Sequence, residues 1–232
     1  MVTVHLNNSP SNFKILQLRD LLKAQFPEAH ADRLPGRDDD DAKVVTGLPV
    51  LDAVGLEKGM LCEAVAERAS LGSALLITSV LRSIAAMQQY VVLIDGRDAF
   101  DPHSLGYEAC RYVLWLRCQR AAEAMKAADL LLRDGNLPLV LMDLEWNPRH
   151  ELGRVPSSSW FRLRTLIEKT DATLLVVTPV QLISSAHLRI KLTNKFTTND
   201  IERPEQELRE AFALTVTRHQ RDRQQSVGTD DG

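Results

Sequence analysis

With 232 residues, 44% hydrophobic and 25% charged, the chain is long enough to fill one core with short appendages. A net charge of −3 supplies no general attraction to DNA or anionic membrane, so any nucleic-acid contact must come from a local basic patch. Cys62, Cys110 and Cys118 form no CxxC pair, and an odd count without a secretory signal fits buried thiols in a reducing compartment.

The opening "MVTVHLNNSPSNFK" has no basic region followed by an apolar run, and no segment approaches the roughly 20 apolar residues of a membrane span, so a cytoplasmic protein without membrane contact is expected. Residues 12–26 place Ile15, Leu18, Leu22 and Phe26 on one helical stripe, which Pro27 ends. The stripe can pack on its own domain or dock on a partner. "RLPGRDDDDAK" then reads as a solvated linker, so residues 1–43 form an N-terminal arm, 44–220 the core domain and 221–232 a polar tail.

From Val44 onward, apolar runs of strand length alternate with helical periodicities, the pattern of a mostly parallel sheet with helices on both faces. "MLCEAVAE" is the first strand and "SALLITSVLRSIAAMQ" the first helix. "YVVLIDG" and "YVLWLRC" are strands, "RAAEAMKAADLLLRDG" is a helix closed by Gly135, and "LPLVLMDL" is a strand. "SSSWFRLRTLIEKT" is a serine-led helix and "ATLLVVTPV" the strand after it. "HLRIKLTNKF" and "AFALTVTRHQ" alternate in period two, as antiparallel edge strands do.

The stretch "EAVAERASLGSALLITSV" has the strand, small-residue loop and helix of a phosphate-binding loop. In the pattern GxxxxGK[ST], backbone amides cradle phosphates, the lysine meets the terminal ones and the hydroxyl holds magnesium. With Gly72 as the second glycine, Glu67 stands at the first glycine position, Ser73 at the lysine and Ala74 at the hydroxyl. The loop thereby loses a cation and a metal ligand and gains a carboxylate, so a triphosphate should bind poorly. The alternative is a plain strand-to-helix turn, with Gly72 allowing close approach and Ser70 capping the helix.

The flanks carry a resemblance. "TGLPVLDAVGLEKGMLCE", through Thr46, Gly47, Leu51, Asp52, Gly59 and Glu63, resembles the segment before the phosphate loop of RecA-type recombinases. "LIDGRDAFDP", through Asp95, Ala99, Asp101 and Pro102, resembles their second core strand and turn, and "LPLVLMDL" the strand ending in a magnesium-associated aspartate, here Asp143. The resemblance implies a RecA-like α/β fold: a mostly parallel twisted sheet, helices on both faces, antiparallel edge strands and a short N-terminal helical arm. The position of the recombinases' catalytic glutamate is Arg97, which cannot act as a base. With loop lysine, hydroxyl and glutamate all replaced, the expectation is a pseudo-ATPase without catalytic residues, cofactor or metal.

Within RecA-like proteins, the arm, the altered loop and "QRAAEAMKAADLLLRDGNLPLVLMDL" resemble the ImuA group, often labelled SulA-like. That resemblance implies an SOS-induced, non-catalytic accessory protein of translesion synthesis. Its implied partners are an ImuB-like inactive Y-family polymerase and an error-prone replicative-type DNA polymerase, with RecA, single-stranded DNA and self-association as further candidates. The alternative is a SulA-like cell-division inhibitor binding a tubulin-like GTPase; a residual ATPase centred on Asp143 is a third reading.

For contact with DNA or a partner, two basic groups stand out. Arg149, His150, Arg154, Arg162 and Arg164 surround Trp146 and Trp160, a composition suited to stacking and phosphate contact. Both tryptophans are nevertheless expected in the core. Arg189, Lys191 and Lys195 alternate along a strand, as on the solvent face of a sheet edge. His103 beside Asp101 is expected in solvent.

Overall fold

The computed structural model describes residues 2–5, 43–135, 137–170 and 172–219. The amphipathic stripe of residues 12–26, the acidic linker and the tail from residue 220 lie outside the described residues. In chain order the elements are β1 (Val2–His5), β2 (Lys43–Val44), α1 (Pro49–Val54), β3 (Leu56–Glu57), β4 (Leu61–Val65), α2 (Ser73–Ala86) and β5 (Val91–Asp95). Then follow α3 (Tyr107–Cys110), β6 (Val113–Arg117), α4 (Ala121–Asp134), β7 (Leu139–Asp143), α5 (Arg149–Leu152) and α6 (Ser157–Thr170). The chain continues through β8 (Thr173–Thr178), β9 (Leu188–Leu192), α7 (Glu205–Glu210) and β10 (Leu214–His219).

The main sheet has the order β1-β6-β5-β7-β8-β4-β9-β10. Its pairs are parallel except β9–β10. Strands β4, β5, β7 and β8 are buried along their whole length, because helices or crossing chain cover both faces and only continuous apolar runs can occupy such positions. One face, with Val92, Ile94, Val140, Met142 and Val176, packs on α4 and α6. The other, with Val91, Leu93, Leu139, Leu141 and Val177, packs on α1, α2 and α3. Alanines at 121, 124 and 128 with Leu131 and Leu132 give α4 a buried stripe, and Gly135 closes it at φ 70° with its amide bonded to the Leu131 carbonyl. All three cysteines are buried. No helix among the described residues is long and apolar enough to cross a membrane.

Two features depart from the sequence pattern. β1, unanticipated at the head of the arm, pairs parallel with β6 at one margin of the sheet. At the other margin, antiparallel pairing holds between β9 and β10, but β9 is internal and runs parallel to β4. Since β8 also lies parallel to β4, residues 179–187 must return the chain from the end of β8 to the start of β9 without a helix. Such a crossover needs other partners for its buried backbone groups.

Those partners are charged side chains. Glu63 is fully buried, and its Oε1 accepts hydrogen bonds from the amides of Leu182 (2.6 Å) and Ile183 (3.0 Å) and from the Thr178 hydroxyl (3.2 Å). Its Oε2 is 2.6 Å from Nε of Arg189, itself 6% exposed. Three successive carbonyls of the crossover accept from arginines: Ile183 from Arg189, Ser184 from Arg218 at 2.7 Å, and Ser185 from Arg164 at 3.3 Å. His187 exchanges two bonds with Leu61, donating its amide to the Leu61 carbonyl (2.8 Å) and accepting the Leu61 amide at Nδ1 (2.9 Å).

Removing one member of a buried, hydrogen-bonded ion pair leaves the other charge without compensation. Arg189→Met is therefore expected to lower unfolding stability by about 3–5 kcal/mol. Lys195→Met, at an exposed site, should change it by less than about 1 kcal/mol. Urea denaturation of the three proteins checks the contrast.

Candidate functional site

The parallel strands β4, β5, β7 and β8 deliver their C-terminal ends to one edge of the sheet, where ligands of open α/β folds bind. The loop from β4 to α2, the turns after β5 and β7, and the start of the crossover meet there.

In the first of these, residues 66–72, the Ala66 amide bonds to the Thr178 carbonyl at 2.8 Å. Ser70 (φ 65°) and Gly72 (φ 94°) are left-handed. Gly72, with no side-chain cap, stands at the N-terminus of α2, so Ser70 does not cap the helix as expected; its carbonyl instead accepts the Phe196 amide at 3.3 Å. A Cβ on Gly72 would lie 2.8 Å from both Asn194 Nδ2 and Phe212 Cε2, and 3.0 Å from Phe196 Cε2. Asn194 donates to the Leu71 carbonyl (2.7 Å) and accepts the Ala213 amide (2.7 Å), clipping the loop to the β9–β10 ends. Glu67 pairs with Lys191 at 2.8 Å. Ala74 is exposed, and Ser73 is buried with its hydroxyl turned to the Glu145 carboxylate. The loop is thus held by amides, rings and carboxylates, and the charge of Lys191 is engaged by Glu67.

The turn after β5 is organised by Asp95, 1% exposed. Its carboxylate accepts the amides of Arg97 (3.3 Å), Ala99 (3.0 Å) and Phe100 (2.9 Å) and the Trp115 indole (3.2 Å). Arg97 reaches away from this turn to the Gln119 carbonyl, 2.7 Å off. Gly96 is wedged against β7: a Cβ there would fall 2.4 Å from Asn147 Oδ1 and 2.7 Å from the Asp143 carbonyl. Asn147 in turn donates to the Gly96 carbonyl at 2.9 Å, stitching the two turns together.

Asp143 ends β7 opposite Asp95. Burial pushes its pKa up to about 7; the Glu145 amide opposes the rise, and the Glu145 and Asp95 charges reinforce it. Burial likewise raises Glu145, against the hydrogen bond from Ser73. Among the described residues, Asp143 has no ion-pair partner, and no group of three or more His, Cys, Asp or Glu is placed to hold a metal ion.

The recombinase-like motif residues before the loop have a structural task. Thr46 is buried, and its amide and hydroxyl each donate to Asp52 at 2.7 Å, which ties the segment before α1 to the first turn of that helix. The segment Pro49–Val54 carries too few residues to show a helical period, so α1 was not legible in the sequence; α3, α5 and α7 were missed for the same reason.

The basic residues divide. Arg189 is not a surface cation: it faces Glu63 inside the protein, because the crossover covers that face of β4. Arg164 pairs with Glu168 at 2.7 Å and braces the crossover, and Arg162 pairs with Asp129 of α4 at 2.5 Å. Arg149, His150, Arg154 and Lys195 are exposed and make no ion pair among the described residues. Of the two tryptophans, Trp160 is core at 1% exposure, whereas Trp146 is 58% exposed on the turn after β7, beside Arg149 in sequence. Its neighbour Asn147 takes the buried place at that strand end. His103 is exposed, with its amide bonded to Asp101 at 3.0 Å.

The fold is RecA-like. A crystal structure of the RadB recombinase matches with a TM-score of 0.51 and 17% sequence identity, covering 64% of this chain and 82% of that one. No family model matches the sequence, and no curated protein matches it.

Two outcomes follow from this geometry. Gly72→Ala combines a left-handed backbone with contacts under 3 Å, so a loss of about 1–3 kcal/mol in unfolding stability is expected, read by denaturant titration. For Asp143, the folded state holds its proton to about pH 7, whereas the unfolded chain releases it near 3.8, the ordinary aspartate value. Its contribution is therefore complete below about pH 4 and is lost as pH rises through 7. Asp143→Asn should abolish that decline and exceed the parent at pH 8 by about 2–4 kcal/mol, measured as stability against pH.

Proposed function

We propose that the protein is a non-catalytic RecA-like scaffold of damage-induced translesion DNA synthesis, acting by binding an ImuB-like Y-family polymerase homologue and an error-prone replicative-type polymerase. The observation that carries the reading is a RecA-like sheet whose phosphate loop has Ser73 for lysine and Ala74 for the hydroxyl, and whose base position is Arg97. A nucleotide there would meet the acids Asp143, Glu145 and Glu67 with no cation at the lysine position beside Gly72; the loop's positive charge is the exposed Arg68 near its other end, and this arrangement disfavours tight triphosphate binding. A protein of this shape works through its surfaces.

Two surfaces serve that role. The stripe Ile15, Leu18, Leu22 and Phe26, if helical, suits a groove on a partner. Exposed Trp146, with Arg149, His150 and Arg154 nearby in sequence, suits protein contact or single-stranded DNA. Both fit a cytoplasmic assembly on damaged DNA.

The test uses the purified full chain. Millimolar ATP with magnesium should leave the melting temperature unchanged; a rise together with measurable hydrolysis would overturn the pseudo-ATPase reading. The ImuB-like partner should bind, and Leu18→Asp with Leu22→Asp should weaken binding at least roughly tenfold. Absence of binding by the parent chain sinks the scaffold reading.

A further inference from the structure

The crossover of residues 179–187 is fastened to the start of β4 by an imidazole. His187 is 2% exposed; its Nδ1 accepts the Leu61 amide at 2.9 Å, and its own amide donates to the Leu61 carbonyl at 2.8 Å. A ring nitrogen that accepts a peptide N–H carries no proton, so this bond fixes the neutral imidazole with its N–H on Nε2. Nε2 faces Glu168 of α6, 3.6 Å from Oε1. A proton added to Nδ1 would set two donors against each other where the bond now lies, and the buried ring gives water no access to hydrate an imidazolium. Uptake of a proton therefore requires that His187 part from Leu61.

The charged groups on the surrounding elements do not hold an imidazolium in place. Glu168 is half-exposed and pairs with Arg164 at 2.7 Å, so its attraction is shared with a neighbouring cation and screened by water. Glu63 and Arg189, two residues further along β4 and β9, are paired with each other. On β10, Arg218 donates to the Ser184 carbonyl at 2.7 Å, and His219 is exposed. The crossover is also built to open by itself. The amides of Leu182 and Ile183 and the carbonyls of 183, 184 and 185 are bonded to side chains instead of to a strand. Lifting residues 182–187 breaks the rung between His187 and Leu61 and leaves the β4–β9 pairing from Leu188 onward. The Ser185 hydroxyl is buried without a hydrogen-bond partner among the described residues, a cost that opening removes.

We propose that His187 is an acid-released latch: a proton from solvent adds to the Nδ1 lone pair, the bond to the Leu61 amide breaks, and residues 182–187 lift reversibly from β4. Opening brings the Glu63 carboxylate and the peptide groups it holds into contact with water, so acidification changes the surface beside β9. The latch belongs to the isolated chain and requires neither a polymerase partner nor a nucleotide. Its direction is opposite to that of Asp143. The open form binds the proton at the ordinary histidine value, about pH 6.5, and the closed form does not, so opening is favoured as pH falls, whereas Asp143 tightens the fold in acid.

Hydrogen exchange of the full chain at about pH 7.5 and about pH 5, corrected for intrinsic exchange rates, tests the latch. Protection of the Leu61, Leu182, Ile183 and His187 amides should fall by roughly tenfold or more between the two, while β5 keeps its own. In His187→Asn, whose Oδ1 takes the place of Nδ1 as acceptor and does not titrate, the same amides should change by less than about twofold. Nitrogen NMR of the histidine rings in the parent needs no variant: at about pH 7.5 His187 should show an unprotonated Nδ1 and a protonated Nε2. Equal loss of protection in the parent and His187→Asn, a loss that β5 shares, or a proton on Nδ1 at about pH 7.5 overturns the proposal.

Discussion

The ion pair between Glu63 and Arg189 is the constraint on which the second half of the sheet depends. β8 and β9 both flank β4 in the same direction, so the chain must run back across a buried face between them. A helix would satisfy its own backbone during that return; an extended crossover cannot. Here a carboxylate takes up the amides of Leu182 and Ile183, and arginines take up the carbonyls of 183, 184 and 185. The charges stay buried because each is met by the other and by oriented peptide groups.

The same constraint governs the C-terminal ends of β4, β5 and β7. Asp95 spends both its oxygens on the amides of its own turn and on Trp115, and Arg97 is spent on the Gln119 carbonyl. The loop after β4 is clipped by Asn194 and overlaid by Phe196 and Phe212. Polar groups at this edge therefore brace one another. Asp143 is the exception, a buried carboxyl flanked by acids and raised to about 7.

Long apolar runs were legible because a strand buried on both faces admits only apolar residues, and "VVLID", "LVLMD" and "TLLVVT" are such runs. The helices α2, α4 and α6 were legible from their periodicity and, for α4, from the glycine at its end. Alternation of charge along a strand does not by itself distinguish an exposed face from a covered one. In "HLRIKL" the charged positions alternate as on a sheet edge, yet Arg189 points into a covered face because the crossover lies over it. Trp146 and Trp160 look alike in sequence; a helix face buries one, and the turn around Asn147 leaves the other in solvent.

By itself the sequence determined the α/β alternation and the placement of the glycine turn between β4 and α2, since these are written in residue type and short-range spacing. Only the tertiary structure decided which charges are surface and which are core, where β1 and β9 join the sheet, and that Glu63 and Arg189 face each other. Those outcomes rest on contacts between segments more than a hundred residues apart, and no local pattern encodes which buried charge will meet its complement.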